Sequence, residues 1–178
     1  MCSISNYFDI IGEEREDFAM KLIIKQRFLS VLDSYNIFDE NDHVIYTVKG
    51  RLSFGHKLEV YDAADCHIAT IREEVFTFLP RFKIYVDDHY IGSFCKKMSL
   101  FRPKYILDFN DWDIEGDVFG WNYSICSRQG VIASIHKEVL HVMDYYVIDV
   151  KNPQNALYAM LIVLSIDAEK CTAQANNN

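Results

Sequence analysis

The chain has 178 residues, half of them apolar, with 12 Phe, 11 Tyr and 2 Trp against 7 Gly and 3 Pro, and a formal net charge of -8. That length suits one domain with one core, and the composition excludes disordered and low-complexity classes. The acidic balance excludes non-specific nucleic-acid binding over the whole surface, because phosphate neutralisation drives such binding.

Residues 1–20 carry Asp9, Glu13, Glu14, Arg15, Glu16 and Asp17, so no apolar stretch is long enough for a signal peptide; this part is expected to be an acidic extension. The five cysteines are widely spaced without a Cys-x-x-Cys, which indicates neither a disulfide framework nor a zinc knuckle and fits reduced thiols in a cytoplasm.

From residue 21 short β-like runs alternate with turns. The first two candidates are Leu22–Arg27 and Tyr35–Phe38. A faint repeat of about 23 residues then recurs, typical of one supersecondary unit used many times. Its first half is Ile45-Tyr46-Thr47-Val48-Lys49, Ile68-Ala69-Thr70-Ile71-Arg72, Ile91-Gly92-Ser93-Phe94 and Ile132-Ala133-Ser134-Ile135, with Trp112-Asp113-Ile114-Glu115 as a degenerate copy. Its second half is seen in Tyr35-Asn36-Ile37, Leu58-Glu59-Val60, Phe82-Lys83-Ile84, Tyr105-Ile106-Leu107, Tyr123-Ser124-Ile125 and Tyr146-Val147-Ile148. Each run alternates apolar and polar positions, the mark of a strand with one dry face. Turn residues separate the halves at Asp39-Glu40-Asn41-Asp42, Asp62-Ala63-Ala64-Asp65, Asp87-Asp88, Asn110-Asp111 and Arg128-Gln129-Gly130.

Six such two-strand units make a meander of twelve antiparallel strands. It has open edges unless it closes, and a closed barrel of that size leaves a lumen too wide for strand side chains to fill. Asn152-Pro153 reads as an N-cap followed by a first-turn proline, and Ala156–Ile166 is apolar on every side. A helix with no polar face must be surrounded, and about eleven apolar residues fall short of the roughly twenty that cross a bilayer. The expected fold is therefore all-β with one helix, a 12-stranded antiparallel closed barrel around a central hydrophobic helix at about 153–168, with a tail over 169–178. Small residues at Ala69, Gly92 and Ala133 leave room for the helix.

Several motifs in order carry a family resemblance: Ile24-Lys25-Gln26, Tyr35-Asn36-Ile37-Phe38-Asp39, Phe78-Leu79-Pro80-Arg81-Phe82-Lys83-Ile84, Phe101-Arg102-Pro103-Lys104-Tyr105, Trp112-Asp113-Ile114-Glu115-Gly116-Asp117 and the apolar helix. Over residues 21–168 the chain resembles the LURP-one-related family, whose domain is similar in fold to the Tubby C-terminal domain and to phospholipid scramblases. The resemblance implies the same barrel and central helix. It implies little about activity: Tubby domains bind phosphoinositide headgroups through basic side chains, and the acidic balance here departs from them.

Catalytic patterns are missing. The six histidines show no metal-ligating spacing, no Gly-x-Ser-x-Gly elbow or glycine-rich phosphate loop occurs, and the carboxylates concentrate in turns. No catalytic residue, metal or cofactor is assigned. One pattern stands out, because connections of one kind share one end of a meander. The Asp/Asn turns fall at one end. Arg27-Phe28-Leu29, Phe54-Gly55-His56-Lys57, Phe76–Arg81 and Lys96–Lys104 fall at the other.

An aromatic-basic rim suits an anionic membrane surface or a phosphoinositide headgroup, with Arg81, Lys83, Lys96, Lys97, Arg102 and Lys104 as candidate ligand-binding residues. The plainer arrangement folds the aromatics inward to close the barrel end, since exposed aromatic clusters are rare in soluble monomers. The sequence thus points to a non-enzymatic binding module, cytoplasmic and peripheral to a membrane, with a protein-interaction or structural domain as the alternative.

Overall fold

The computed structural model describes residues 18–25, 34–51, 53–97, 99, 104–140 and 143–175. Twelve strands form one sheet: β1 (Met20–Ile24), β2 (Ser34–Phe38), β3 (Val44–Arg51), β4 (Lys57–Asp62), β5 (His67–Glu73), β6 (Arg81–Val86), β7 (His89–Lys97), β8 (Lys104–Leu107), β9 (Asp113–Asp117), β10 (Asn122–Ser127), β11 (Gly130–Leu140) and β12 (Met143–Val150). Sequential neighbours other than β8 and β9 pair antiparallel, and β1 pairs with β12 from Met20↔Val150 to Ile24↔Tyr146, which wraps the meander round on itself.

The barrel is nearly closed. Its seam falls between the consecutive strands β8 and β9, which no ladder joins among the described residues. The chain after β8 turns back on β7 instead: Asp108 N donates to Ser93 O at 3.2 Å, and Ser93 Oγ donates to Asp108 Oδ2 at 2.8 Å. Phe109 and Trp112 fill the seam as buried side chains. A Cβ at Gly92, whose φ is 153°, would lie 2.8 Å from Phe109 Cδ1, so this glycine makes room for the β8–β9 connection and not for the helix.

Asn152 Oδ1 accepts from Gln154 N at 3.0 Å, Pro153–Asn155 form a 3-10 turn, and α1 follows over Ala156–Ala175. Every side chain from Ala159 to Ile166 is buried against inward residues of the strands, among them Leu22, Val60, Ala69, Phe82, Ile125, Ala133 and Ile148. The apolar helix replaces water that the lumen would otherwise hold, and its insertion takes apolar surface of both helix and strands out of water. Two boundaries differ from expectation. β1 begins at Met20 and ends at Ile24, and α1 continues beyond 168 through residues expected to form a tail.

Candidate functional site at the aromatic rim

Three connections with described residues cap the end where α1 finishes: 53–56 between β3 and β4, 74–80 between β5 and β6, and 118–121 between β9 and β10. Their phenylalanines do not fold inward. Phe54 is 84 % exposed, Phe76 100 %, Phe78 92 % and Phe119 62 %. Phe76 has a φ of 67°, a left-handed conformation that a bulky side chain rarely takes. The loop around it is tied by Thr77 Oγ1 donating to Glu74 O at 3.0 Å and Glu74 N donating to Arg81 O at 2.8 Å. The β3–β4 loop packs on its base, since a Cβ on Gly55 would lie 2.8 Å from Val75 Cγ1.

The predicted cations divide. Arg81 and Lys83 share Glu74, at 3.8 Å from Nε and 2.9 Å from Nζ. Lys97 and Lys104 face each other across β7 and β8, both exposed and without an ion-pair partner among the described residues. Arg102 and the Arg27-Phe28-Leu29 connection lie outside the described residues.

Lys96 does not belong to the outer rim. It shares the inward parity of Phe94, and its Nζ meets Glu169 Oε1 at 2.6 Å, with Tyr105 Oη donating to Glu169 Oε2 at 3.2 Å. β7 runs on to Lys97, so Lys96 is a strand residue obeying alternation and not part of a loop.

The last turns of α1 anchor the rim. Besides Glu169, Lys170 Nζ donates to Val118 O at 2.7 Å and sits 3.7 Å from the centre of the Trp121 ring. Thr172 Oγ1 lies 2.9 Å from His56 Nδ1, and Glu73 Oε2 accepts from His56 N at 2.8 Å. Burial pushes the Asp167 carboxyl up to about 7, with Lys170 opposing, and burial lowers Lys170 to about 8 against the pull of Asp167, Glu169 and Asp117. Burial also raises the phenol of Tyr123, whose Oη has no hydrogen-bond partner among the described residues. These groups went unremarked in the sequence because the apolar run ends before them; the signal was three charges, Asp167, Glu169 and Lys170, following a helix that had not met a stop residue. Among the described residues no cluster of His, Cys, Asp and Glu could hold a metal ion, and no helix is long and apolar enough to cross a membrane.

The family model for LURP-one-related proteins matches residues 20–167. The chain belongs to the LURP-one-related family. The uncharacterized protein YxjI of Bacillus subtilis (strain 168) is 24% identical over 149 residues, which cover 83% of this chain and 92% of that protein. An X-ray structure of a protein from Arabidopsis thaliana superposes with a TM-score of 0.58 at 17% identity, covering 83% of this chain and 90% of that one, a likeness of fold.

Proposed function

We propose that this LURP-one-related protein is a non-enzymatic binding module that docks peripherally on an anionic membrane surface through its aromatic-basic rim. The observation that carries this reading is the trio Phe54, Phe76 and Phe78, presented to solvent from two adjoining loops, one of them held in a left-handed backbone state. Each ring gains about 2 kcal/mol on entering an apolar phase, and a cation near an anionic surface adds about 1 kcal/mol. Unpaired Lys97 and Lys104 stand at the same end. The barrel itself is a poor membrane span, since its interior is apolar and its outer wall carries Lys21, Lys49, Lys57, Arg72 and Lys83, the reverse of a transmembrane barrel.

The test is co-sedimentation with phosphatidylcholine vesicles with and without phosphatidylserine. Wild type is expected to pellet with the anionic vesicles, and Phe76→Asp/Phe78→Asp to remain in solution with unchanged thermal unfolding. Equal pelleting of both proteins at background level would end this reading.

The alternative, a protein-interaction domain, draws on the seam: β8 is an edge strand with no ladder to β9 among the described residues, and its Ile106 is 48 % exposed. A partner retained in a pull-down without lipid, and lost on Ile106→Lys, would support it.

A further inference from the structure

The register of the sheet aligns charges far apart in sequence. Arg51 stands opposite Lys57, Lys57 opposite Arg72, and Arg72 opposite Lys83. All four lie on the outer wall, because their neighbours Gly50, Leu58, Ile71 and Phe82 take the inward positions. The result is an unbroken row of cations across β3, β4, β5 and β6, spanning about 14 Å at ordinary strand spacing. It lies directly beneath the loops that carry Phe54, Phe76 and Phe78.

Like charges directly opposite one another destabilise a sheet. Two carboxylates temper the row: Glu59 bonds Arg51 at 2.8 Å and Lys57 at 2.7 Å, and Glu74 holds Lys83 and Arg81. Arg72, exposed at the middle, has no ion-pair partner among the described residues. Counting Arg51, Lys57, Arg72, Arg81 and Lys83 against Glu59 and Glu74 leaves three positive charges in surplus. The local field is visible in Glu59, whose carboxyl Lys57 and then Arg51 hold down at about 2.

Other parts of the wall are built differently. On β1 and β12 opposite charges meet, with Lys21 Nζ 3.5 Å from Asp149, whose other oxygen lies 3.4 Å from the His136 ring of β11, and β9 presents Asp113, Glu115 and Asp117 opposite uncharged residues of β10. One wall is therefore cationic in a chain of net charge -8.

We infer that the outer wall of β3–β6 is a second contact surface that lies against an anionic bilayer, tilting the barrel so that the row reads the surface density of phosphate and carboxylate charge and not a single headgroup. The inference rests on the membrane reading above and adds to it an orientation and a ligand class. A straight row on a convex wall encloses nothing, so it has no stereochemical fit to one inositol ring. It does match a plane of many anions, and each cation is expected to act nearly independently.

The experiment compares wild type, Arg72→Glu, Arg128→Glu and Phe76→Asp/Phe78→Asp for partitioning onto phosphatidylcholine vesicles carrying phosphatidylserine or a phosphoinositide at matched total charge. Arg128 is exposed in the turn between β10 and β11, at the other end, so its reversal changes net charge equally. Circular dichroism melts check that each variant folds. Arg72→Glu is expected to lower partitioning about tenfold and Arg128→Glu less than about threefold, with the two anionic lipids equivalent. Equal effects of the two reversals, or about tenfold preference for the phosphoinositide at matched charge, would overturn the inference. If Phe76→Asp/Phe78→Asp abolishes binding while Arg72→Glu does not, the rim reading stands and the row falls; if wild type ignores both vesicles, the two fall together.

Discussion

Both ends of the barrel place residues at positive φ, and the residues chosen differ. At the turn end these are Asp42, Asp65, Asp87, Asp88, Asn110 and Asp111, short polar side chains that tolerate the left-handed region; Asp39 and Asp62 accept backbone N–H groups of their own turns at 2.8–2.9 Å. At the helix-exit end the left-handed non-glycine residues among the described ones are Phe76 and Trp121. Trp121 is held by Lys170 and by Tyr146, 4.6 Å away between ring centres, whereas Phe76 touches solvent on all sides. Local turn chemistry accounts for the first end completely. The second end needs tertiary anchors and still leaves a fully exposed ring on a left-handed backbone.

That contrast can be broken in graded steps. The severest is Leu161→Asp, which buries an unpaired charge in the helix that both ends share; no cooperative unfolding transition is expected, and a soluble, cooperatively melting variant would show that the helix is not enclosed. Next, Lys96→Met leaves Glu169 buried with Tyr105 alone and is expected to cost about 3 kcal/mol in urea unfolding, an effect confined to the end tied to α1.

Asp167→Asn sharpens the same end by pH. The native carboxyl titrates near 7 against an ordinary 3.8, so native Asp167 keeps its proton where the unfolded chain has released it. Its contribution to stability is full below the ordinary value and is lost as pH rises to about 7. The variant is therefore expected to melt about 3 °C higher than wild type at pH 8 and no higher at pH 4. Smallest is Asp88→Ala at the turn end, where φ is 60°: about 1 kcal/mol should be lost by urea unfolding, while Asp88→Gly should be nearly neutral, because the strain lies in the backbone and the carboxylate's contact, 3.9 Å from His67 Nδ1, is exposed to solvent.

Much of the fold was legible because it is written locally. Alternation such as Phe82, Ile84 inward and Arg81, Lys83 outward gives a strand wherever it occurs, Asp87-Asp88 gives a two-residue loop, and Asn152-Pro153 starts the helix. The features that escaped depend on distant partners. Asp167, Glu169 and Lys170 look like the end of a buried helix until Lys96, Tyr105 and the carbonyl of Val118 supply neighbours for the charges. Lys96 and Lys97 look equivalent until the strand is known to run through both. The inward collapse expected of Phe54, Phe76 and Phe78 fails because the loops are braced at their bases, by Gly55 against Val75 and Glu74 against Arg81, leaving the rings beyond. Arg51, Lys57, Arg72 and Lys83 form a row only once three registers are set.

The pairing of β1 with β12 and the placement of α1 after it have a bearing on synthesis. Strands leave the ribosome in order, so β1, which also pairs with β2, waits for its second neighbour until all the others have been made, and the apolar inner faces of the twelve strands stay unfilled until the helix follows. Nascent chains of this architecture thus expose that apolar surface until late in translation, and truncation anywhere before α1 should yield aggregates in place of a smaller stable domain.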